Sequence, residues 1–483
     1  MFRKKPTIIV LLILFSQVLL FAQNKQQLKD YFNDADYFYE SQDYREALFN
    51  YLKIHEKDST SANINYCIGM CYIYIPGEET KAIPYFEKAA SRISTKYKKS
   101  TFEERSAPLY LLFYLGTAYR IDNQLGKALE AFNKFRNNPY TERNYNVDMV
   151  DIEISSCERA KLIQDNPINV RFTNLGPVIN NAQSNRNPVL NKDETILIYL
   201  SGLKFYDAIF MSRKVNGVWQ EPVNISSDVG SDGDCEPTCL SADGKELYMV
   251  KKSKKNSAIY VSYWKDSIWG VMQPLNKNIN SGHNETHASI SYDGKTLYFS
   301  SDRKGGFGNL DIYKSEKQAN GDWGPAVNLG ENINTEFDET TPFICEDGKT
   351  LYYSSKGHLN MGGYDIFVSH LMANNKWEKS NNVGYPISTT GDNLFFNPLR
   401  NGEIGYCALV RPDGFGKEDI YRIENLTLEA RNNHSMLDNQ RILRIVVKDK
   451  KTNEVLGVLF FDQKADTLAI HQTSDKIDIR IDQ

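Results

Sequence analysis

From about residue 185 onward the chain runs in short apolar-alternating stretches separated by turn residues, the pattern of half-buried β-strands. The segment His287–Asn334 shows one full unit. Ala288–Ser291 leads into Tyr292-Asp293-Gly294-Lys295, and Thr296–Ser301 (TLYFSS) returns from it. A Gly-rich excursion, Arg303–Gly308, precedes Leu310–Lys314, and Asn320-Gly321 turns the chain into Trp323–Leu329. Asp-Gly and Asn-Gly between such runs predict two-residue hairpin turns, because these residues accept positive φ. A four-stranded sheet of this kind has two apolar faces and requires neighbours to cover them.

The neighbours are copies of the unit. Its first turn recurs at Asn191–Glu194, Ala242–Lys245, Glu346–Lys349 and Arg400–Glu403. Strand two recurs as ILIYLS, ELYMVK, TLYYSS and IGYCAL, and strand three as YDAIF, SAIY, YDIF and EDIY. Strand four opens at Trp219, Trp269, Trp323 and Trp377, spaced 50, 54 and 54 apart. Four strands in a period of about 50 residues predict β-propeller blades. The fifth copy lacks a fourth strand after Tyr421. Asn174–Asn180 matches Asn328–Asn334 with no strands one to three before it, so Val170–Leu175 is expected to complete blade five, with Asn169 at the Trp position. Residues 168–424 are thus read as a five-bladed propeller, with a degenerate sixth blade in the loops as the alternative.

Residues 25–165 carry a different period. Ala35, Phe38, Ala47 and Tyr51 are followed by Gly69, Tyr72, Ala82, Phe86 and Ala89, then by Gly116, Tyr119, Ala128, Phe132 and Phe135. A small residue at a helix crossing allows close approach, and the aromatic three positions on fills the neighbouring groove. The spacing resembles the 34-residue tetratricopeptide repeat, with an extra residue near Pro76-Gly77 and an insertion at Ala90–Ser106. Val147–Leu162 is read as the helix capping the stack. The whole is an α-solenoid followed by a propeller. Such a stack implies peptide or protein binding, with Tyr37, Tyr39 and Tyr44 either lining a groove or packing between repeats; packing is preferred.

At the start, Arg3, Lys4 and Lys5 precede the apolar run Thr7–Phe21, and Ala22 precedes a polar stretch. This reads as a secretory signal (1–22) cleaved after Ala22; the 15-residue run falls short of the ~20 that span a bilayer. At the other end, 425–440 is a polar linker. Arg441–Val447, Val455–Phe461 and Ile477–Ile481 read as strands with a turn at Lys451–Asn453, the beginning of a small β-sandwich of the carboxypeptidase regulatory type in 441–483.

Composition narrows the function. A net charge of −4 over 483 residues argues against nucleic-acid binding, which requires a basic face. The seven Cys (67, 71, 157, 235, 239, 345, 407) are sparse and odd in number, and Cys235/Cys239 have no second pair to complete a zinc site. No phosphate loop, dinucleotide fingerprint, nucleophile elbow or metal motif is present, so no cofactor, metal or catalytic residue is assigned. His283-Asn284-Glu285-Thr286-His287 departs from a zinc-protease helix in the place of its Glu and leads into a strand. Asp243, Asp293 and Asp347 are turn formers. Glu236, Glu285 and Glu339 recur just before strand one, beside Asp234 and Asp338. There they would ring one mouth of the channel, suiting a cation or a basic peptide. Alternatively each carboxylate accepts backbone N–H bonds from an inter-blade loop, the reading preferred here.

The motifs D-G-K-x-L-Y-F/Y-S-S, D-I-Y/F and W-x4-N-L/V-G resemble the WD40-like propeller repeats of the TolB family. SSDRKGGFGNLDIY, with helical repeats ahead of the propeller, resembles periplasmic OmpA-family proteins of Bacteroidetes associated with type IX secretion and gliding. The resemblance covers residues ~25–424, and the family's terminal OmpA module is absent. It implies a non-enzymatic periplasmic scaffold that binds envelope proteins, with peripheral outer-membrane or peptidoglycan association. A propeller hydrolase of glycans or peptides, or a module binding glycans or cell-wall fragments, is the alternative.

Overall fold

The computed structural model describes residues 24–203 and 206–427, and in the C-terminal segment the strands Leu443–Lys448, Val455–Phe461, Leu468–His471 and Lys476–Ile479. The leader at 1–22, most of the 425–440 linker and the turn at 451–453 lie outside the described residues.

The N-terminal part is a stack of antiparallel helical hairpins. Helix α1 (24–40) pairs with α2 (Tyr44–His55), α3 (Ala62–Ile73) with α4 (Ile83–Ala89), and α5 (Leu111–Ile121) with α6 (Leu125–Arg136). The short α7 (Pro139–Asn144) leads to α8 (Val147–Gln164), which packs on α5 and α6. Caps fix the starts: Asp43 accepts from the Glu46 amide, Ser61 from Ile64 and Asn146 from Asp148. The small residues act as their spacing predicts. A Cβ on Gly69 would lie 2.3 Å from the Phe86 ring and one on Gly116 2.6 Å from Phe132, both rings fully buried.

Residues 170–425 form five antiparallel sheets, and no sixth blade occurs among the described residues. Blade three is representative: Glu285–Ile290, Thr296–Ser301, Asp311–Glu316 and Val327–Asn328, in that order. Blade five takes Asn397–Leu399, Ile404–Leu409 and Asp419–Asn425 from the C-terminal side and Val170–Asn174 from the N-terminal side. The ring therefore closes within one sheet, leaving no radial gap. The Trp period has a packing cause. Trp269 of blade two lies in a cluster with Ile198 and Met211 of blade one, and Trp377 of blade four meets Tyr298 of blade three.

Two local expectations are corrected. The Asp-Gly turns are not two-residue primed turns, because only the Gly takes positive φ (Gly294, 70°). Ser291 Oγ instead accepts the Lys295 and Thr296 amides and donates to Asp293 at 2.6 Å, so the Asp holds a longer loop. Turns with two positive φ values do occur between strands three and four of blades one and two, at Asn216-Gly217 and Asp266-Ser267. The fourth strand is also discontinuous. Trp323 makes a single bridge to Lys317, and pairing resumes only at Val327–Asn328.

Among the described residues, those up to Glu424 form one compact unit, in which stack and propeller pack together, and those from Asn425 onward a second. In that second unit Leu443–Lys448 pairs with Val455–Phe461, and Leu468–His471 with Lys476–Ile479. No described helix is long and apolar enough to cross a membrane.

Candidate functional site

The residues nearest the channel axis come from the innermost strands. Glu285 and Glu339 open those strands in blades three and four and are both fully buried. Glu339 Oε1 accepts from Ser355 Oγ (2.6 Å) and Thr335 Oγ1 (2.7 Å), and Oε2 from the Thr335 amide (2.7 Å). Glu285 Oε1 accepts from Ser281 and Ser301 and pairs with Arg303 at 3.3 Å, while Oε2 has no partner. Both carboxylates staple strand one to the preceding inter-blade loop and to strand two. Asn393, ahead of blade five, makes only the loop half of this arrangement, accepting the Thr389 amide at 2.6 Å. Burial pushes Glu339 up to about 7 in spite of these hydrogen bonds.

Glu236 differs. The strand-one register places Cys235, opposite Lys251, where Glu285 faces Ser301 and Glu339 faces Ser355. Glu236 is one residue further on, partly exposed, with Lys252 Nζ 2.5 Å away. Burial would raise its pKa, but Lys252 first, then His287 and Arg186, hold it below the usual carboxylate value. Of the three acids named from sequence, Glu285 and Glu339 are buried in the hydrogen bonds above, and Glu236 is partly exposed beside Lys252. His287 Nδ1 lies 3.0 Å from Thr340 Oγ1, and burial lowers its pKa to about 4, opposed by Glu236. His283 lies 3.8 Å from Asp302. The two histidines thus have separate partners, and no group of three metal-ligating side chains is found among the described residues.

Phe395 of blade five packs edge-on against Phe343 of blade four (5.4 Å) and His287 of blade three (5.7 Å). Blades three and five are not adjacent, so the contact crosses the axis. At the far end, a cavity of about 30 Å³ is lined by residues including Leu190, Leu240, Ile290, Ile344 and Leu399, one from each blade. It has room for water, not for a glycan or peptide.

Sequence reasoning did not single out the clamps on the blades' outer parts. Asp311, Asp365 and Asp419, at the heads of their third strands, are buried and accept from Asn328, Asn382 and Asn174 at 2.8, 2.8 and 2.9 Å. The Gly-rich connections fold back over them: the amides of Phe307 and Gly308 reach Asp311, and those of Phe415 and Gly416 reach Asp419. The D-I-Y/F repeat was the visible signal.

Also unforeseen was how the stack seats on the propeller. Arg120 of α5, only 4% exposed, donates to Glu153 of α8 at 2.7 Å and to the Thr390 carbonyl. Ser156 and Arg159 of α8 reach Asn360, Ser156 Oγ to Oδ1 at 2.6 Å and Arg159 Nε to the carbonyl at 2.9 Å. A Cβ at Gly362 would lie 2.5 Å from Arg120 Nη1, so that glycine admits the guanidinium.

On the stack itself, aromatic rings touch from hairpin to hairpin. Tyr44 stacks on Tyr74 (4.8 Å), the Tyr74 and Tyr114 hydroxyls are 3.2 Å apart, and Tyr114 and Tyr145 both meet Tyr110 at 5.2 Å. Tyr39 packs on Tyr44, whereas Tyr37 is 69% exposed.

No family model and no curated protein matches the chain. Among solved structures it is similar to TolB from Acinetobacter baumannii, at 18% identity and a TM-score of 0.35, over 50% of this chain and 55% of that one. The chain thus spans about half the length of that protein. It is similar to the putative TolB from Agrobacterium tumefaciens at 18% identity and TM-score 0.35, over 61% of this chain and 89% of that one. It is likewise similar to an α-L-arabinofuranosidase from Podospora anserina in complex with cellotriose, at 11% identity and TM-score 0.36, over 53% and 97%. Scores this low leave the propeller assignment resting on the strand order and register above.

Proposed function

We propose that this chain is a non-enzymatic scaffold of the bacterial cell envelope that binds other envelope proteins through its helical stack and propeller. Following the resemblance of its motifs, its place is the periplasm, beside type IX secretion or gliding machinery, with its hairpins acting as tetratricopeptide-type units. The observation that carries this reading is the tyrosine ladder Tyr44–Tyr74–Tyr114–Tyr110–Tyr145, in which Tyr74 is 41% exposed. Partly exposed tyrosines give large, rigid contact area with hydroxyls for hydrogen bonding, as recognition surfaces require.

The test is cross-linking of the full chain in envelope extracts, repeated with Tyr74→Ala. Specific partners should be recovered by the native chain and reduced at least tenfold by the variant. Turnover of glycans or peptides by the purified protein, lost in Glu236→Gln, would establish the hydrolase instead.

A further inference from the structure

The insertion that delays the third hairpin lies across the helices of the first two. Ile93–Ser94 pairs in parallel with Ala107–Pro108, so 95–106 is a loop whose two ends are clasped together. Its middle, Tyr97-Lys98-Lys99-Ser100-Thr101-Phe102, rests on α1 and α3. Phe102 meets the Phe32 ring edge-on at 5.8 Å, and Tyr97 meets Tyr66 at 5.9 Å. Between these anchors Ser100 Oγ donates to Asp36 at 2.9 Å, and Lys99 pairs with Glu40 at 2.7 Å. Further along, Arg105 reaches Asp58 at 2.5 Å. Asn63 of α3, fully buried, accepts from the Tyr97 hydroxyl at 2.8 Å and donates to the Thr101 carbonyl at 3.5 Å.

These are the contacts that a bound peptide makes: two aromatic anchors, cations against carboxylates, and an asparagine on a main-chain carbonyl. They are also contacts that the loop can leave. Among the described residues, no backbone–backbone hydrogen bond joins 95–106 to a helix. The Lys99 and Glu40 side chains are 70% and 54% exposed, and an ion pair so open to water is weak. Ser100 has a φ of 55°, a left-handed conformation disfavoured for serine and held by its bond to Asp36. Glu104 accepts the amides of Lys98, Arg105 and Ser106 at 3.0, 2.9 and 2.8 Å, which gives the loop a shape that does not depend on the helices.

We propose that the α1–α3 face is a binding site for a short basic–aromatic segment of a partner protein, and that 95–106 occupies it as a displaceable stand-in. The face sets that chemistry. Asp36, Glu40 and Asp58 favour lysine, arginine and hydroxyl donors, Phe32 and Tyr66 favour aromatic rings, and Asn63 takes a main-chain carbonyl. The proposal rests on the scaffold reading and names the segment that its helical stack takes.

The experiment is fluorescence anisotropy on the full chain with a labelled synthetic peptide of residues 94–106. The native chain, its face filled, should bind the peptide at least tenfold more weakly than Tyr97→Ala/Phe102→Ala, whose loop has lost both anchors. Lys99→Glu/Arg105→Glu changes only side chains that are 70% and 44% exposed, is safe for folding, and should give a smaller gain in the same direction. Adding Glu40→Gln to the first pair should weaken binding at least fivefold, and a peptide of scrambled order should not bind. Equal binding by the native and both opened chains, or equal binding of the scrambled peptide, would overturn the proposal. So would a native dimer that the aromatic double substitution dissociates, since the face would then hold the loop of a second copy. Cross-linking that recovers no envelope protein, with the peptide still bound in sequence-specific fashion, would fall on the scaffold reading and not on this site.

Discussion

Gly69 and Gly116 each occupy a point where two helices meet over a ring. Alanine at either would gain about 1 kcal/mol of intrinsic helix preference. That gain is outweighed, because the added methyl lands inside the van der Waals radius of Phe86 or Phe132, and those rings are buried with nowhere to swing. Overpacking of this kind costs about 1–3 kcal/mol. Gly69→Ala is therefore expected to lower stability by urea unfolding, whereas Gly126→Ala, on a helical site with nothing within 4 Å, should leave it equal or raise it. Equal effects from the two would refute the packing argument. Glu339 carries a second residue-scale prediction. Its pKa is raised from 4.5 to about 7, so between those values the folded state holds a proton that the unfolded state has lost. The stabilisation is fully present below pH 4.5 and declines as pH rises through 7, at up to about 1.4 kcal/mol per pH unit. Glu339→Gln keeps the shape and removes the titration, so its stability–pH curve should be flatter over pH 5–7 than that of the native chain.

At the scale of elements, the blades were legible because each depends on local signals: alternation, a Gly at the turn and a Trp at fixed spacing. Even closure of blade five could be read, since Asn174–Asn180 repeats Asn328–Asn334. The turn geometry was less accessible. Asp293 was seen as a residue tolerant of positive φ, but its use is to hold Ser291, a contact between side chains that dipeptide patterns do not specify. The candidate site was only partly legible for a related reason. Glu236 and Glu285 look alike beside a strand, yet a one-residue difference in register puts Cys235 in the staple position and Glu236 beside Lys252.

For the molecule as a whole, the decisive feature is one that neither repeat announces: the stack and the propeller meet through a buried arginine. Arg120 is held by Glu153 on its own side and by the Thr390 carbonyl on the other, with Gly362 leaving room for it. A guanidinium out of water is tolerated only when its donors are satisfied, and removing it strands the partners that faced it. Arg120→Ala would leave Glu153 without its cation and Thr390 without its donor, at a cost of about 3–5 kcal/mol for a broken buried pair. Because that cost falls on the seam, it should separate the two halves and leave each core intact. Calorimetry of the native chain is expected to show stack and propeller melting together. In Arg120→Ala the stack should melt first, as a separate transition, and proteolysis should begin near 166–169, where α8 hands over to the first propeller strand. Arg120→Lys should not restore the single transition, since one ammonium cannot reproduce the planar fork that spans both partners. A single transition at the native midpoint in Arg120→Ala would show that the seam is held by the Asn360 contacts of α8 alone.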